Sequence, residues 1–227
     1  MRRWQALLAL VVLVFPLVIW LILSTGKTHY KTLPKLGPHE VRQPGDTLWH
    51  TLPLFSLLNQ DSLPFTQDSL RGWVHVADYF FTRCPGICPQ LSQAMRTIQA
   101  YLTGSSARVR LVSYTVDPAH DSPSVLRDYA ARYQADPTRW TFVTGPETTL
   151  YRLAVKGYLI PVDKTPDSTQ GELGYVHSDM LVLVDPDLRI RGFYSGLDSA
   201  QVRKLQDDLT LLLLEYRDRW PAVQPSS

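Results

Sequence analysis

The sequence predicts a three-layer α/β domain with an N-terminal hairpin, preceded by one transmembrane helix. Three observations carry that expectation. A stretch without a charged residue, Trp4 to Gly26, opens the chain. Apolar runs and amphipathic patterns then alternate through its middle, as strands and helices do when helices cover a sheet. A second hairpin and a long amphipathic pattern close it. Of the 227 residues, 44% are hydrophobic and 19% charged, which is ordinary for a folded protein. A net charge of +2 is too balanced for a nucleic-acid surface. With only 2 cysteines, a disulfide framework is excluded.

Residues 1–26 read as the membrane anchor. Leu7 to Leu23 is almost wholly apolar, and a bilayer needs roughly 20 such residues. Pro16 is tolerable there, because neighbouring groups can satisfy the freed carbonyl. A cleaved signal peptide has an apolar core of only about 7 to 15 residues. Leu21 to Lys27 also lacks an Ala-x-Ala site, and no lipobox cysteine is present. Arg2 and Arg3 precede the span while Lys27, Lys31, Lys35 and Arg42 follow it, so charge counting alone does not orient it. A short basic start ahead of an apolar core resembles an export signal. The expectation is a single-pass protein of the inner membrane with its domain on the periplasmic side.

Residues 27–47 read as a linker, with Pro34, Gly37, Pro38 and Pro44, and 48–220 as the domain. Leu54 to Leu58 and Pro64 to Thr66, joined by Asn59-Gln60-Asp61-Ser62, predict a hairpin. Trp73 to Phe81 predicts a central strand, and Leu91, Met95, Ile98 and Leu102 the helix after it. Val109 to Val116 is the next strand, ended by Asp117-Pro118-Ala119-His120-Asp121. Ser122 is an N-cap with Pro123 first in its helix, which buries Val125, Leu126, Tyr129 and Tyr133. Trp140 to Val143 is a short strand, and Pro146 to Lys156 a helix stopped by Gly157. Thr165 to Gly171 is a polar loop. Met180 to Val184 and Arg189 to Tyr194 form the second hairpin. A helix from about Ser199 then buries Val202, Leu205, Leu209, Leu212, Leu213 and Tyr216, and 221–227 is a tail.

Both cysteines, Cys84 and Cys88, fall at the turn between the first central strand and its helix. Pro89 is expected to push Cys88 out of the α region, starting the helix at Pro89. Thiols just ahead of a helix N-terminus should have lowered pKa values. A local structural disulfide, thiol exchange and metal binding all remain open. Structural zinc wants four protein ligands, whereas two thiolates with an imidazole suit copper. Among the 6 histidines, His29 and His39 lie in the linker and His50 at the domain edge, all read as solvated. His75, inside a strand, reads as a core residue. His120 follows a strand and could line the same rim. His177 precedes the late hairpin. The element order is that of a thioredoxin-like fold, in which the loop before that hairpin faces the cysteine turn.

Three ordered motifs resemble the Sco/SenC family of copper-binding proteins. They are Phe80-Phe81-Thr82-Arg83-Cys84-Pro85-Gly86-Ile87-Cys88-Pro89, then Ser113 to Pro123, then Val176-His177-Ser178 ahead of Met180 to Pro186. The resemblance runs from about Phe55 to Tyr216. It implies a tethered thioredoxin-like domain that holds one copper through Cys84, Cys88 and His177. It also implies a role in assembling the dinuclear copper centre of cytochrome c oxidase, as a metallochaperone or as a thiol-disulfide reductase for the partner's copper ligands. The implied partners are oxidase subunit II or another copper chaperone. Two departures stand out: Gly86 and Val176 replace acidic residues common in the family. Asp117 or Asp179 could supply the missing acceptor, and each could equally be a capping or turn residue.

Overall fold

The computed structural model describes residues 32–43, 45–105, 107–160 and 178–220, with scattered positions (4, 14–16 and 19) nearer the start. Two compact units divide at Lys31/Thr32. The expected span lies almost wholly outside the described residues. Among the described ones, no helix is long and apolar enough to cross a membrane. The polar loop from Thr165 to Gly171, residue His177 and the tail also lie outside them.

The second unit is built on a seven-stranded sheet. Its strands are β3 (Ser56–Asn59), β4 (Pro64–Thr66), β5 (Val74–Phe80), β6 (Val109–Thr115), β7 (Trp140–Thr144), β8 (Met180–Val184) and β9 (Ile190–Ser195), in the order β4-β3-β7-β6-β5-β8-β9. The central strands β5, β6 and β7 are parallel, and the two outer hairpins run antiparallel to them. Every residue of β5 is buried, because both sheet faces are covered and no alternation survives. Val74, Val76 and Phe80 face one core with α1 (Cys88–Tyr101), α2 (Pro123–Arg132) and α4 (Ser199–Tyr216). Ala77 and Tyr79 face the other, beneath α3 (Glu147–Arg152). The alternation places the cysteine turn at the carboxyl end of β5, on the rim of the first core.

Local signals produced the expected pieces where they are chemically unambiguous. Asn59 Oδ1 accepts from the N–H groups of Asp61 and Leu63 at 2.9 and 2.8 Å, closing the first hairpin turn. Ser122 Oγ accepts from Val125 N–H, with Pro123 opening α2. Asp198 caps α4 by accepting from Ala200 N–H at 2.8 Å.

Three expectations are corrected. First, α1 starts at Cys88, not Pro89. Pro89 is the second helical residue, where a missing N–H has no intrahelical partner to lose. Second, α3 gives way to a single π-helical turn, Leu153–Gly157, and Gly157 is not a left-handed cap. A Cβ there would lie 2.8 Å from Leu153 and 3.1 Å from Pro53, so close packing is what requires glycine. Leu159, at φ +55°, takes the left-handed turn. Third, the later part of the linker is folded onto the domain. A two-stranded sheet joins β1 (His39–Gln43) to β2 (Asp46–Trp49), and Leu36 donates its N–H to Ile190 O at 2.9 Å. The cause is Arg191, whose buried guanidinium needs acceptors. It takes Leu33 O at 2.6 Å, Pro34 O at 3.1 Å, Asp185 at 3.1 Å and Glu215 at 2.7 Å. His39 accordingly stacks on Trp49, and His50 donates to Gly157 O at 2.7 Å instead of facing water alone.

Candidate metal centre

The cysteine turn is fastened from below by one carboxylate. Asp121 is fully buried; its Oδ2 accepts from Thr82 N–H at 3.1 Å and Thr115 Oγ at 2.5 Å, and its Oδ1 from Thr82 Oγ at 2.5 Å. Val116 N–H donates to Phe80 O at 2.8 Å, and Arg83 pairs with Asp117 at 2.6 Å. The end of β6 therefore grips both sides of the turn that presents Cys84. Cys84 N–H closes that turn on Phe81 O at 3.2 Å.

Both thiols are free, but they are not equivalent: Cys84 is half-buried and Cys88 is buried. Burial pushes the Cys84 pKa up. The Cys88 thiol and the backbone N–H groups of Cys88, Gly86 and Ile87 donate to its sulfur and outweigh burial, leaving it below the usual thiol range. For Cys88, burial raises the pKa. Its bond to Cys84 and the charges of Cys84 and Asp78 add to that rise, against one stabilising bond from Phe81 N–H. Of the two, Cys84 is therefore the sulfur that ionises first, and as a thiolate it would receive a hydrogen bond from the Cys88 thiol. The helix N-terminus was expected to lower both; it serves only the sulfur its N–H groups reach.

A second carboxylate went unnoticed in the sequence. Asp78 sits on the α1 face of β5 between Val76 and Phe80, and is 1% exposed. Ser113 Oγ donates to its Oδ1 at 2.5 Å and itself accepts from Trp140 Nε1 at 2.9 Å, while Oδ2 has no partner. Burial raises its pKa to about 7, against the Ser113 bond and its own N–H. The available signal was a carboxylate inside a run that is otherwise apolar.

The other candidates separate clearly. His75 is fully buried on the opposite face, hydrogen-bonded to Tyr158 OH at 3.1 Å, with its pKa pushed down to about 3 chiefly by burial. It is a core residue, as expected. His120 is exposed in a shallow cleft of about 250 Å³ with Thr82, Arg83 and Asp128. Among the described residues, no three metal-binding groups gather, so His120 is not brought to the thiols. Asp117 is occupied by Arg83, and Asp179 accepts from Ser195 Oγ.

His177 is outside the described residues, and the chain resumes at buried Ser178. There Ser178 Oγ accepts from Met180 N–H at 3.2 Å, and Asp179 O from Gly196 N–H at 2.7 Å. Strand β8 pairs antiparallel with β5, Ala77 opposite Val182. Continuing that register sets Ser178 abreast of Phe81, at the start of the cysteine turn.

This fold, with a free and unequal cysteine pair where β5 passes into α1, defines a thioredoxin-like dithiol protein. The SCO1/SenC family model matches residues 47–210, and the chain belongs to that family. It is 31% identical over 165 residues to the SCO1 protein homolog of Bacillus subtilis, covering 72% of this chain and 83% of that one. A Stutzerimonas stutzeri relative that carries the name "putative copper-binding protein" is 34% identical over 142 residues, 62% of this chain and 67% of that one. Among solved structures, BsSco is described as a member of the Sco family of cytochrome c oxidase assembly proteins with a disulfide switch. It superposes with a TM-score of 0.63 at 29% identity, over 73% of this chain and 94% of that one.

Proposed function

We propose that this protein is a membrane-anchored copper chaperone for the dinuclear copper centre of cytochrome c oxidase. Residues 1–26 hold it to the inner membrane with the domain on the periplasmic side, and Cys84, Cys88 and His177 take the copper cargo. The observation that carries this reading is the cysteine pair: two free sulfurs of unequal acidity, held on a braced turn with Cys84 reaching solvent. Two sulfurs are soft donors, which favour Cu(I) over hard cations, and an imidazole completes a set that also accepts Cu(II). No carboxylate of the described residues joins the sulfurs, consistent with a soft site. Family membership and the name of the Stutzerimonas stutzeri relative support the cargo. Ser178, the chain neighbour of His177, is buried at the level of the cysteine turn, which supports His177 as the third ligand.

A second reading rests on the same asymmetry. A low-pKa Cys84 is built to attack, and a buried protonated Cys88 to resolve. Cys84 would displace one thiolate from a partner's disulfide. Cys88, losing its proton, would then displace the other, so the partner gains two electrons, one proton from Cys88 and one from solvent as this pair becomes a disulfide. His177→Ala separates the two readings in cells lacking the native protein: chaperoning requires the histidine and loses oxidase assembly, whereas thiol exchange keeps it.

A further inference from the structure

The end of the sheet opposite the thiols carries an unabsorbed feature. Trp73 lies just before β5, with the Arg110 guanidinium 4.3 Å from its ring centre and that of Arg108 at 5.9 Å. Stacking of this kind keeps both cations at one edge. Among the described residues, no carboxylate pairs with either arginine. The acids nearby are engaged: Asp68 lies against Arg71 at 3.8 Å, Asp187 against Arg189 and Arg219, and Asp136 accepts from Thr138 in its own turn. Burial lowers the pKa of Arg110 with no anionic partner to offset it.

The same end receives the chain from its N-terminal stretch. One row crosses the sheet there: Arg110 opposite His75, His75 opposite Val184, Val184 opposite Ile190, and Ile190 bridged to Leu36. Four strand steps of about 4.8 Å put Leu36 roughly 19 Å from Arg110. Arg191 clamps the incoming Leu33 and Pro34 carbonyls at this end, and Gly72 N–H donates to Pro186 O at 2.9 Å, tying the Trp73 turn to the β8–β9 turn. Strand β5 then carries the chain about 20 Å to the cysteine turn.

We infer that this end, Trp73 with Arg108 and Arg110, docks onto anionic lipid headgroups, so that the cysteine turn is presented away from the bilayer. The inference rests on the anchored reading of residues 1–26. Arg110 donates to Ser69 O and keeps the rest of its guanidinium without a carboxylate. An indole suits the headgroup level, and guanidiniums that lack a carboxylate partner suit phosphates.

The test uses the full chain in nanodiscs of phosphatidylcholine, with and without phosphatidylglycerol, carrying a headgroup nitroxide. The Trp73 share of fluorescence is the native signal minus that of Trp73→Phe. Quenching of this share in anionic discs is expected, with loss at high salt. The docked-to-undocked ratio should fall roughly fivefold for each arginine removed in Arg108→Gln and Arg110→Gln, from about 1 kcal/mol per basic residue at an anionic surface. An acyl-chain nitroxide reports separately on Trp4 and Trp20. If those are quenched while Trp73 stays unquenched in anionic discs, the docking is overturned and the anchor stands. If Trp4 and Trp20 are also unquenched, the anchored reading fails and takes the docking with it.

Discussion

Asp121 is the residue on which the site's geometry depends, and Asp121→Ala puts a number on it. The substitution removes the acceptor for three hydrogen bonds, from Thr82 N–H, Thr82 Oγ and Thr115 Oγ. Thr82 is partly exposed and can regain water, so its two bonds are worth about 1 kcal/mol each. Thr115 is fully buried; its Oγ still accepts from Asp117 N–H, but its O–H is left without an acceptor, at a cost of about 1–3 kcal/mol. The expected loss is roughly 4 kcal/mol by urea unfolding, and the same change at exposed Asp128 should cost under about 0.5 kcal/mol. A second readout concerns the site. With the turn released, Cys84 loses the N–H donors of Gly86, Ile87 and Cys88 that hold its pKa down. Its alkylation at neutral pH should therefore slow, even at temperatures where the variant is fully folded. Asp121→Ala with native stability and a native Cys84 alkylation rate would refute the bracing argument.

Asp78 makes stability pH-dependent in the direction opposite to most carboxylates. Its folded pKa, about 7, is raised above the unfolded 3.8, so the folded state holds the extra proton between those values. Stability falls as pH rises through that window, by up to roughly 4 kcal/mol, and is flat above it. Asp78→Asn should abolish the fall, which urea unfolding at several pH values will show. In limiting iodoacetamide, peptide mapping should find Cys84 labelled well before Cys88, since only Cys84 is both partly exposed and thiolate-rich. Gly196→Ala drives a methyl into Leu91 of α1. A loss of about 1–3 kcal/mol is expected from thermal melting.

The hairpins and the Ser122-Pro123 helix start were legible because each rests on contacts within a few residues, and the central strands because burial on both faces shows as an apolar run. Cys84 and Cys88 were legible as a pair because no other cysteines exist. The rest depends on distant partners. Arg191 folds the residues from Leu33 to Leu36 onto the domain, and nothing in that proline-rich stretch announces an arginine some 157 positions away. The inequality of the thiols comes from unequal burial and from which sulfur the N–H groups reach, neither of which spacing encodes. Asp121 lay inside a motif already singled out, but its role needs Thr82, 39 positions earlier, to be in place. Gly157 was read as a cap because packing against Pro53 leaves no local trace.

The most direct test of the central claim is Cu(I) titration of the reduced full chain beside His177→Ala, Cys84→Ser and Cys88→Ser. The account predicts one copper per native chain and a sharp loss of affinity in each variant. Unchanged affinity in His177→Ala would contradict the three-ligand site, and unchanged affinity in either cysteine variant would contradict copper binding at this turn altogether.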